Sequence, residues 1–163
     1  MKRSKKGFIG DIPLIIGFLF LFAVVIIVGY QFLSAYNTKY QAANVSQGSK
    51  DLVQSSKDRY VGLFDGIMGF VFALLVIALF VSLTLIPSNP AFFFITVILL
   101  VILIGAGAVF SNSYEQIAND SHISTTASEF TFTPFLMSNL PTVILFMGCV
   151  FIIGLYMKLR GVF

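Results

Sequence analysis

Three side chains in this sequence are of types that can do chemistry in or beside a membrane: Asp65, His122 and Cys149. A carboxylate inside an apolar helix can relay protons or bind cations, an imidazole can bind a metal or transfer protons near neutral pH, and a thiol can act as a nucleophile. The chain has one histidine and one cysteine, and the apolar run after Asp65 holds no other acidic residue. A structural role is therefore the first interpretation of each.

The position of Asp65 argues against an ion relay. About 20 helical residues cross a hydrocarbon core of ~30 Å, and counting back from Ile86 places the edge of that core near Ile67. Asp65 is then expected at the lipid headgroups, where a negative charge near a helix N-terminus is favourable. Asp11 is interpreted in the same way, as the cap of the first apolar helix. The absence of ionisable residues at mid-membrane depth counts against ion-coupled carriers and intramembrane hydrolases.

His122 and Cys149 lack the sequence partners that a metal or redox site needs. His122 lies in a loop rich in Ser and Thr, and one histidine cannot supply a multidentate zinc site or bis-histidine haem ligation. Cys149 lies inside the last apolar run, where we expect a small packing residue, and a single cysteine allows no disulfide within the chain. The few hydroxyls inside the apolar runs are expected to bond to their own helix backbone. The sequence thus predicts no catalytic, cofactor-binding or metal site and a protein that is not an enzyme.

The charge pattern predicts four membrane-spanning helices. Hydrophobic residues make up 58% of the chain and charged residues 10%, whereas about a quarter of the residues of ordinary globular proteins are charged. No charged side chain occurs between Asp65 and Glu115, and that run turns only at 87–90. The predicted fold is an all-α integral membrane protein, one membrane domain over residues 1–163, with a tight central helical hairpin and both termini on the same side. The predicted spans are 12–36, 64–86, 90–111 and 140–158, and the polar loops are 37–61 and 112–139.

The two polar loops and the first apolar run carry further expectations. Residues 49–60 begin with a Ser cap and are predicted to extend the second span out of the membrane as a helix. In the second loop, Phe130, Phe132 and Phe135 alternate with threonine and proline, which predicts an extended or interfacial stretch. The first apolar run exceeds the about 7 to 15 residues of a secretory signal core, so it is expected to remain as an uncleaved anchor.

Small residues in the central hairpin predict close helix packing. Gly66, Gly69 and Ala73 share one face of the second span, and Gly105 and Ala108 cluster at the far end of the third. An antiparallel hairpin turning at 87–90 places Gly69 beside Ala108. Close backbone approach is a main source of packing energy between membrane helices. Packing within the chain is the first interpretation, and a homodimer face is the alternative.

Basic residues predict the orientation. Lys and Arg near span ends are more frequent on the cytoplasmic side. The side with both termini holds six of them and the other side four, so we expect both termini in the cytoplasm or in an equivalent virion interior. The net charge of +3 is interpreted as topology signal and headgroup contact, with no nucleic acid partner. The six residues are Lys2, Arg3, Lys5, Lys6, Lys158 and Arg160.

One local resemblance concerns residues 5–11, Lys-Lys-Gly-Phe-Ile-Gly-Asp, which precede a long apolar helix. This segment resembles the short basic leader of archaeal type IV prepilins, which are cut next to such a Lys-Gly and assemble through the apolar helix. The chain departs from that family in its three further spans and in lacking a soluble β-rich head. These departures disfavour a pilin role.

Because the sequence predicts no catalytic, cofactor-binding or metal site and no ion relay, it favours a non-enzymatic integral membrane protein with a structural or assembly role. Its loops and its helical extension would dock onto other membrane or capsid-type proteins in a homo- or hetero-oligomer, within the lipid bilayer of a cell or a virion. A virus-encoded virion-membrane protein is the specific case. The alternatives are a holin-like membrane-permeabilising protein, an accessory subunit of a larger membrane enzyme, and a small transporter or channel.

Overall fold

The computed structural model describes residues 12–85 and 90–161. Within those two ranges every regular element is an α-helix. The predictions for Lys2, Arg3, Lys5, Lys6 and Asp11, for the leader-like segment and for the turn at 87–90 lie outside or largely outside the described residues. The long helices are α1 (Ile12–Ala42), α2 (Gln47–Leu85), α3 (Pro90–Ala118) and α6 (Leu140–Leu159), and the short ones are α4 (Ser124–Ala127) and α5 (Phe132–Ser138).

The four long helices are each long and apolar enough to cross a membrane. Many of their outward side chains are large and apolar, such as Phe18 on α1, Phe70 on α2 and Val101 on α3. Such a surface suits contact with lipid, while the backbone polar groups are satisfied inside each helix. The prediction of an all-α protein with four apolar helices is confirmed, and these helices indicate a multi-pass membrane protein.

The long helices pack as a bundle in which α2 and α3 occupy opposite corners. Helix α1 packs against α2 and α3, and α6 packs against the same two from the other side, most extensively against α3. Contacts between α2 and α3 are sparse by comparison. The two helices joined by the central turn are therefore separated by α1 and α6 over most of their length.

The segment between α3 and α6 folds back onto one end of the bundle and forms part of its core. We call residues 119–139 the cap segment. Its side chains Thr133, Leu136 and Met137 are fully buried. Leu136 and Met137 lie in the same cluster as Ile26 of α1 and Met68 of α2. The extended stretch expected here is wrong, because residues 132–138 form α5. Within α5 Thr133 is fully buried and Phe135 is 61% exposed, so the alternation of Phe and Thr does not mark the buried side of the helix.

Two of the long helices are longer than a membrane needs. The 39 residues of α2 span about 58 Å at ~1.5 Å per residue, and α1 continues to Ala42, beyond the predicted end at Tyr36. The helix expected from Ser49 is present and starts earlier, at Gln47. We call residues 37–60 the stalk. It consists of the end of α1, a turn at 43–46 and the beginning of α2.

Candidate functional site

Asp65 lies where α2 meets the start of α5. Its carboxylate accepts hydrogen bonds from the backbone N–H groups of Thr131 (2.9 Å), Phe132 (2.7 Å) and Thr133 (2.7 Å). The hydroxyl of Thr133 also donates to it at 2.7 Å. No side chain of α5 itself caps this N-terminus, so a carboxylate from a distant helix satisfies N–H groups that would otherwise lack partners.

These hydrogen bonds account for Asp65 as a structural residue that neither binds an ion nor relays a proton. An ionised carboxylate offers about four lone-pair positions, and four donors occupy them here. The sequence interpretation of Asp65 as structural agrees with this geometry, although the helix differs. Asp65 is in the interior of α2, and the N-terminus that it contacts belongs to α5.

A second contact joins α1 to the cap segment through Tyr30. The Tyr30 hydroxyl donates a short hydrogen bond to the carboxylate of Glu129. Its ring, which is almost fully buried, lies edge-on to Phe130 and tilted against Tyr60, with centroid distances of 5.6 Å in both cases. The ammonium of Lys57 is 6.0 Å from the Tyr30 ring, at the outer range of a cation–π contact. Sequence reasoning missed this cluster because its members are far apart in the chain.

Helices α1 and α2 are in close contact at Gly29. A Cβ atom built there would lie 2.5 Å from the hydroxyl oxygen of Tyr60, well inside contact distance. The Tyr60 hydroxyl donates to the carbonyl of Ile26 at 3.3 Å. Gly29 thus makes room for a tyrosine of α2 to lie against the backbone of α1.

Helix α3 contributes two polar side chains at the same end of the bundle. Ser111 donates to the carbonyl of Ser138 at 2.8 Å and joins α3 to the end of α5. Tyr114 is 1% exposed, and its buried hydroxyl has no hydrogen-bond partner within the described residues. An unpaired buried hydroxyl costs free energy, so this group is a local weak point of the core.

His122 and Cys149 are both exposed and neither faces a cluster of possible ligands. The backbone of His122 accepts a hydrogen bond from Gln31 and donates one to Asp120, each at 2.8 Å. Cys149 is exposed on α6, so the expectation of a buried packing residue is wrong. Helix α6 packs against the rest of the bundle through faces that do not include Cys149. In the described part of the chain no group of three or more His, Cys, Asp or Glu residues could hold a metal ion.

Three hydroxyls inside the spanning helices bond to their own helices, as the sequence indicates. Ser82 donates to Ala78, Thr84 to Val81 and Thr96 to Phe92, at 2.7 to 2.8 Å. A shallow groove of about 400 Å³ lies between α2, α5 and α6, and apolar side chains form nearly all of its surface. Its lining residues are Phe72, Phe135, Asn139, Thr142, Val143, Phe146 and Met147.

Glycines other than the expected ones carry the close helix packing. A Cβ on Gly107 would lie 3.6 Å from the backbone of Pro141, so α3 and α6 approach closely there. Gly148 faces Leu100 of α3, and Gly154 faces Leu83 of α2. Sequence reasoning overlooked the glycines of α6 because it compared only α2 with α3.

The expected small residues of α2 and α3 are not brought together. Gly69 lies against Phe132 of α5, whose ring is 3.7 Å from a Cβ built on the glycine. A Cβ on Gly66 or Gly105 meets nothing within 4 Å. Gly66, Ala73, Gly105 and Ala108 are exposed.

The basic residues at the end of α6 lie beside the end of α2. The ammonium of Lys158 donates to the carbonyls of Leu83 (3.1 Å) and Thr84 (2.7 Å), where a helix C-terminus lacks internal donors. Arg160 lies over the ring of Tyr156, 5.0 Å from its centroid. A headgroup or topology role for these two residues remains a prediction.

Comparison with known proteins provides no relative. No family model, no curated protein and no solved structure matches the chain.

Proposed function

We propose that this chain is a non-enzymatic membrane assembly subunit that binds a partner protein through its stalk. The length of α2 carries the proposal. About 58 Å of helix exceeds a bilayer of about 40–45 Å that includes its headgroups, so the stalk extends into water. The described part of the chain then presents one rigid projection to other proteins.

Hydrogen bonds between the two helices make the stalk a fixed shape. The amide of Asn37 donates to Gln54 at 2.7 Å. The Gln41 amide donates to the carbonyl of Lys50 at 3.0 Å, and the Lys50 ammonium donates back to the carbonyl of Gln41 at 2.7 Å. A preformed surface loses less conformational entropy on binding than a mobile loop.

The stalk also carries exposed apolar side chains where water is expected. Leu52 is 71% exposed on α2, and Val45 is exposed in the turn. We place the centre of the proposed interface at these exposed apolar side chains, which contact with a partner would remove from water. The stalk has four basic and two acidic residues, which favours a partner surface with acidic residues around an apolar centre.

The interior of the bundle favours a structural role over transport. An ion-coupled carrier needs an ionisable group that can change partners, whereas the carboxylate of Asp65 is held by four donors. The intramembrane hydroxyls of Ser82, Thr84 and Thr96 are used within their own helices. These contacts do not support a polar path for a transported solute through the described part of the bundle.

The same proposal includes the orientation and the setting. Both termini are proposed to lie in the cytoplasm or in a virion interior, with the stalk on the opposite side, because six of the ten basic residues belong to the termini. A virion membrane is the setting we propose, in which the stalk would contact a capsid-type or membrane partner.

The test is purification of the tagged chain from its native membrane in mild detergent, with wild type and Leu52→Asp compared. We expect one partner at a fixed ratio with wild type and its loss with Leu52→Asp, because a charge replaces the exposed apolar centre. Thr38→Asp, which adds the same charge to exposed α1 in the stalk, is the matched control and should retain the partner. A partner that is retained by Leu52→Asp, or no partner at all, would contradict docking through the stalk.

A further inference from the structure

Helix α2 has an outward face that the bundle does not use. Gly62, Gly66 and Ala73 are exposed, and their spacing of four and seven residues places them on one side of the helix. A Cβ built on Gly62 or Gly66 meets nothing within 4 Å. Gly62 and Gly66 leave this side low next to the cap segment, whereas the exposed Phe70 and Ile77 stand farther along it.

Helix α3 has an outward face of the same kind. Gly105, Ala108 and Asn112 are exposed, and spacings of three and four residues place them together. The space beside Gly105 is open, whereas the neighbouring Gly107 is buried against α6. Intramolecular packing therefore accounts for Gly107 and leaves Gly105 and Ala108 without a neighbour.

The two faces match in depth and point away from each other. Gly66 precedes the end of α2 by about as many residues as Ala108 follows the start of α3, so the two stand at the same height in the membrane. Because α2 and α3 occupy opposite corners of the bundle, their free faces cannot meet within one chain. They are placed to meet between neighbouring chains.

Opposite charges stand above the two faces. Arg59 lies one turn before Gly62 on α2, and Glu115 lies one turn after Asn112 on α3. Both are exposed, and neither forms an ion pair within the described residues. Counted from the connected ends of α2 and α3, Arg59 and Glu115 differ in height by about one residue, or ~1.5 Å.

We propose that a second copy of this chain covers these surfaces, with the α2 face of one copy packed against the α3 face of the next. Small residues let two helices approach closely, which favours helix over lipid contact, and Arg59 of one copy pairs with Glu115 of its neighbour at the edge. The contact joins different faces of identical chains, so it repeats as a closed ring or an open row. This proposal deepens the assembly role given above and rests on it.

Cysteine cross-linking in lipid vesicles tests the contact. In a Cys149→Ala background, a tagged Gly66→Cys chain and an untagged Ala108→Cys chain are co-expressed and oxidised. We expect a mixed dimer and no larger product, because each chain carries one cysteine and can form one disulfide. The chain with both substitutions should form a ladder of dimers, trimers and larger species. As a control, Val28→Cys, exposed on α1, should give no product with Ala108→Cys.

Charge reversal tests the ion pair separately. Arg59→Glu and Glu115→Arg should each lower the yield of the mixed dimer by about two- to fivefold, the range of an exposed ion pair. The chain with both reversals should regain the wild-type yield, because the pair is restored with exchanged partners. Both sites are exposed, so folding should be unaffected, and circular dichroism checks that.

Three outcomes would overturn the proposal: no mixed dimer, a dimer of Gly66→Cys alone, or charge reversals that leave the yield unchanged or are not rescued in combination. A dimer from one variant alone would show a twofold contact through one face. Loss of cross-linking with the stalk partner retained would remove this inference and leave the docking role intact. Loss of the partner with cross-linking intact would remove docking and leave the self-contact.

Discussion

At the scale of single residues, the carboxylate of Asp65 accepts hydrogen bonds from a segment 66 to 68 residues further along the chain. An N-cap normally comes from the residue before the helix, and here α2 supplies it to α5. The bonds to Asp65 therefore hold the cap segment on the bundle, and the negative charge stabilises the start of α5.

Replacing Asp65 by Asn should loosen the cap segment. The amide keeps one acceptor oxygen but turns an NH₂ group toward N–H donors, so we expect a loss of about 1–3 kcal/mol of stability. Hydrogen exchange at Thr131, Phe132 and Thr133 should become faster in the variant. Asp58→Asn, which removes an exposed charge from the stalk, is the control. Unchanged exchange at the three amides would show that Asp65 does not hold them.

Two tyrosines should respond in opposite directions to the same substitution. Tyr30→Phe removes a hydrogen bond to Glu129 and should cost about 0.5–1.5 kcal/mol. Tyr114→Phe removes a buried hydroxyl without a partner and should raise the free energy of unfolding by on the order of 1 kcal/mol. Unfolding in mixed micelles with SDS measures both. A destabilising Tyr114→Phe would mean that the hydroxyl does bind a partner, such as an ordered water.

At the scale of elements, one glycine sets how closely Tyr60 of α2 can lie against α1. Among the described residues outside the backbone of α1, the Tyr60 hydroxyl oxygen is the only atom within 3 Å of a Cβ built on Gly29, and the next nearest, Cζ of the same ring, is at an ordinary 3.6 Å. The fit at this contact is thus set by one oxygen atom.

Gly29→Ala should therefore destabilise the bundle, and Tyr60→Phe should remove most of that effect. Overpacking typically costs about 1–3 kcal/mol, and phenylalanine lacks the oxygen that the new methyl group would meet. Unfolding of the two single variants and the double variant forms a thermodynamic cycle. A rescue in the double variant is the expected result. Additive effects would show that the methyl group meets the α2 backbone instead.

The sequence predicts some of these elements and not others, for physical reasons. Runs without charge reveal the four long helices, because lipid imposes composition and length. The helical start of α5 depends on Asp65, far away in the chain, so local pattern could not reveal it. Gly66 and Gly105 look like packing residues in sequence, yet spacing alone cannot tell whether their face points to a helix of the same chain or away from it.

At the scale of the whole molecule, the polar contacts are concentrated at the cap end, and the basic residue Lys158 marks the other end. The ammonium of Lys158 binds carbonyls of Leu83 and Thr84 at the end of α2, so the ends of α2 and α6 lie side by side. The stalk lies at the opposite end of α2. The positive-inside rule then supports the orientation proposed above, with the stalk outward and the chain termini inward.

Labelling with a membrane-impermeant maleimide tests that direction in intact cells. In a Cys149→Ala background, Val45→Cys in the stalk should react from outside, because the turn at 43–46 stands beyond the headgroups. Gly161→Cys, just after α6, should react only after permeabilisation, because the basic residues Lys158 and Arg160 are retained on the cytoplasmic side. Both positions are exposed. Gly161 has a φ of 71°, so cysteine is strained there, but the residue follows the end of α6 and all four spans should insert normally. Labelling of both from the same side would exclude four crossings, and the reverse pattern would show that the acidic cap segment does not face outward.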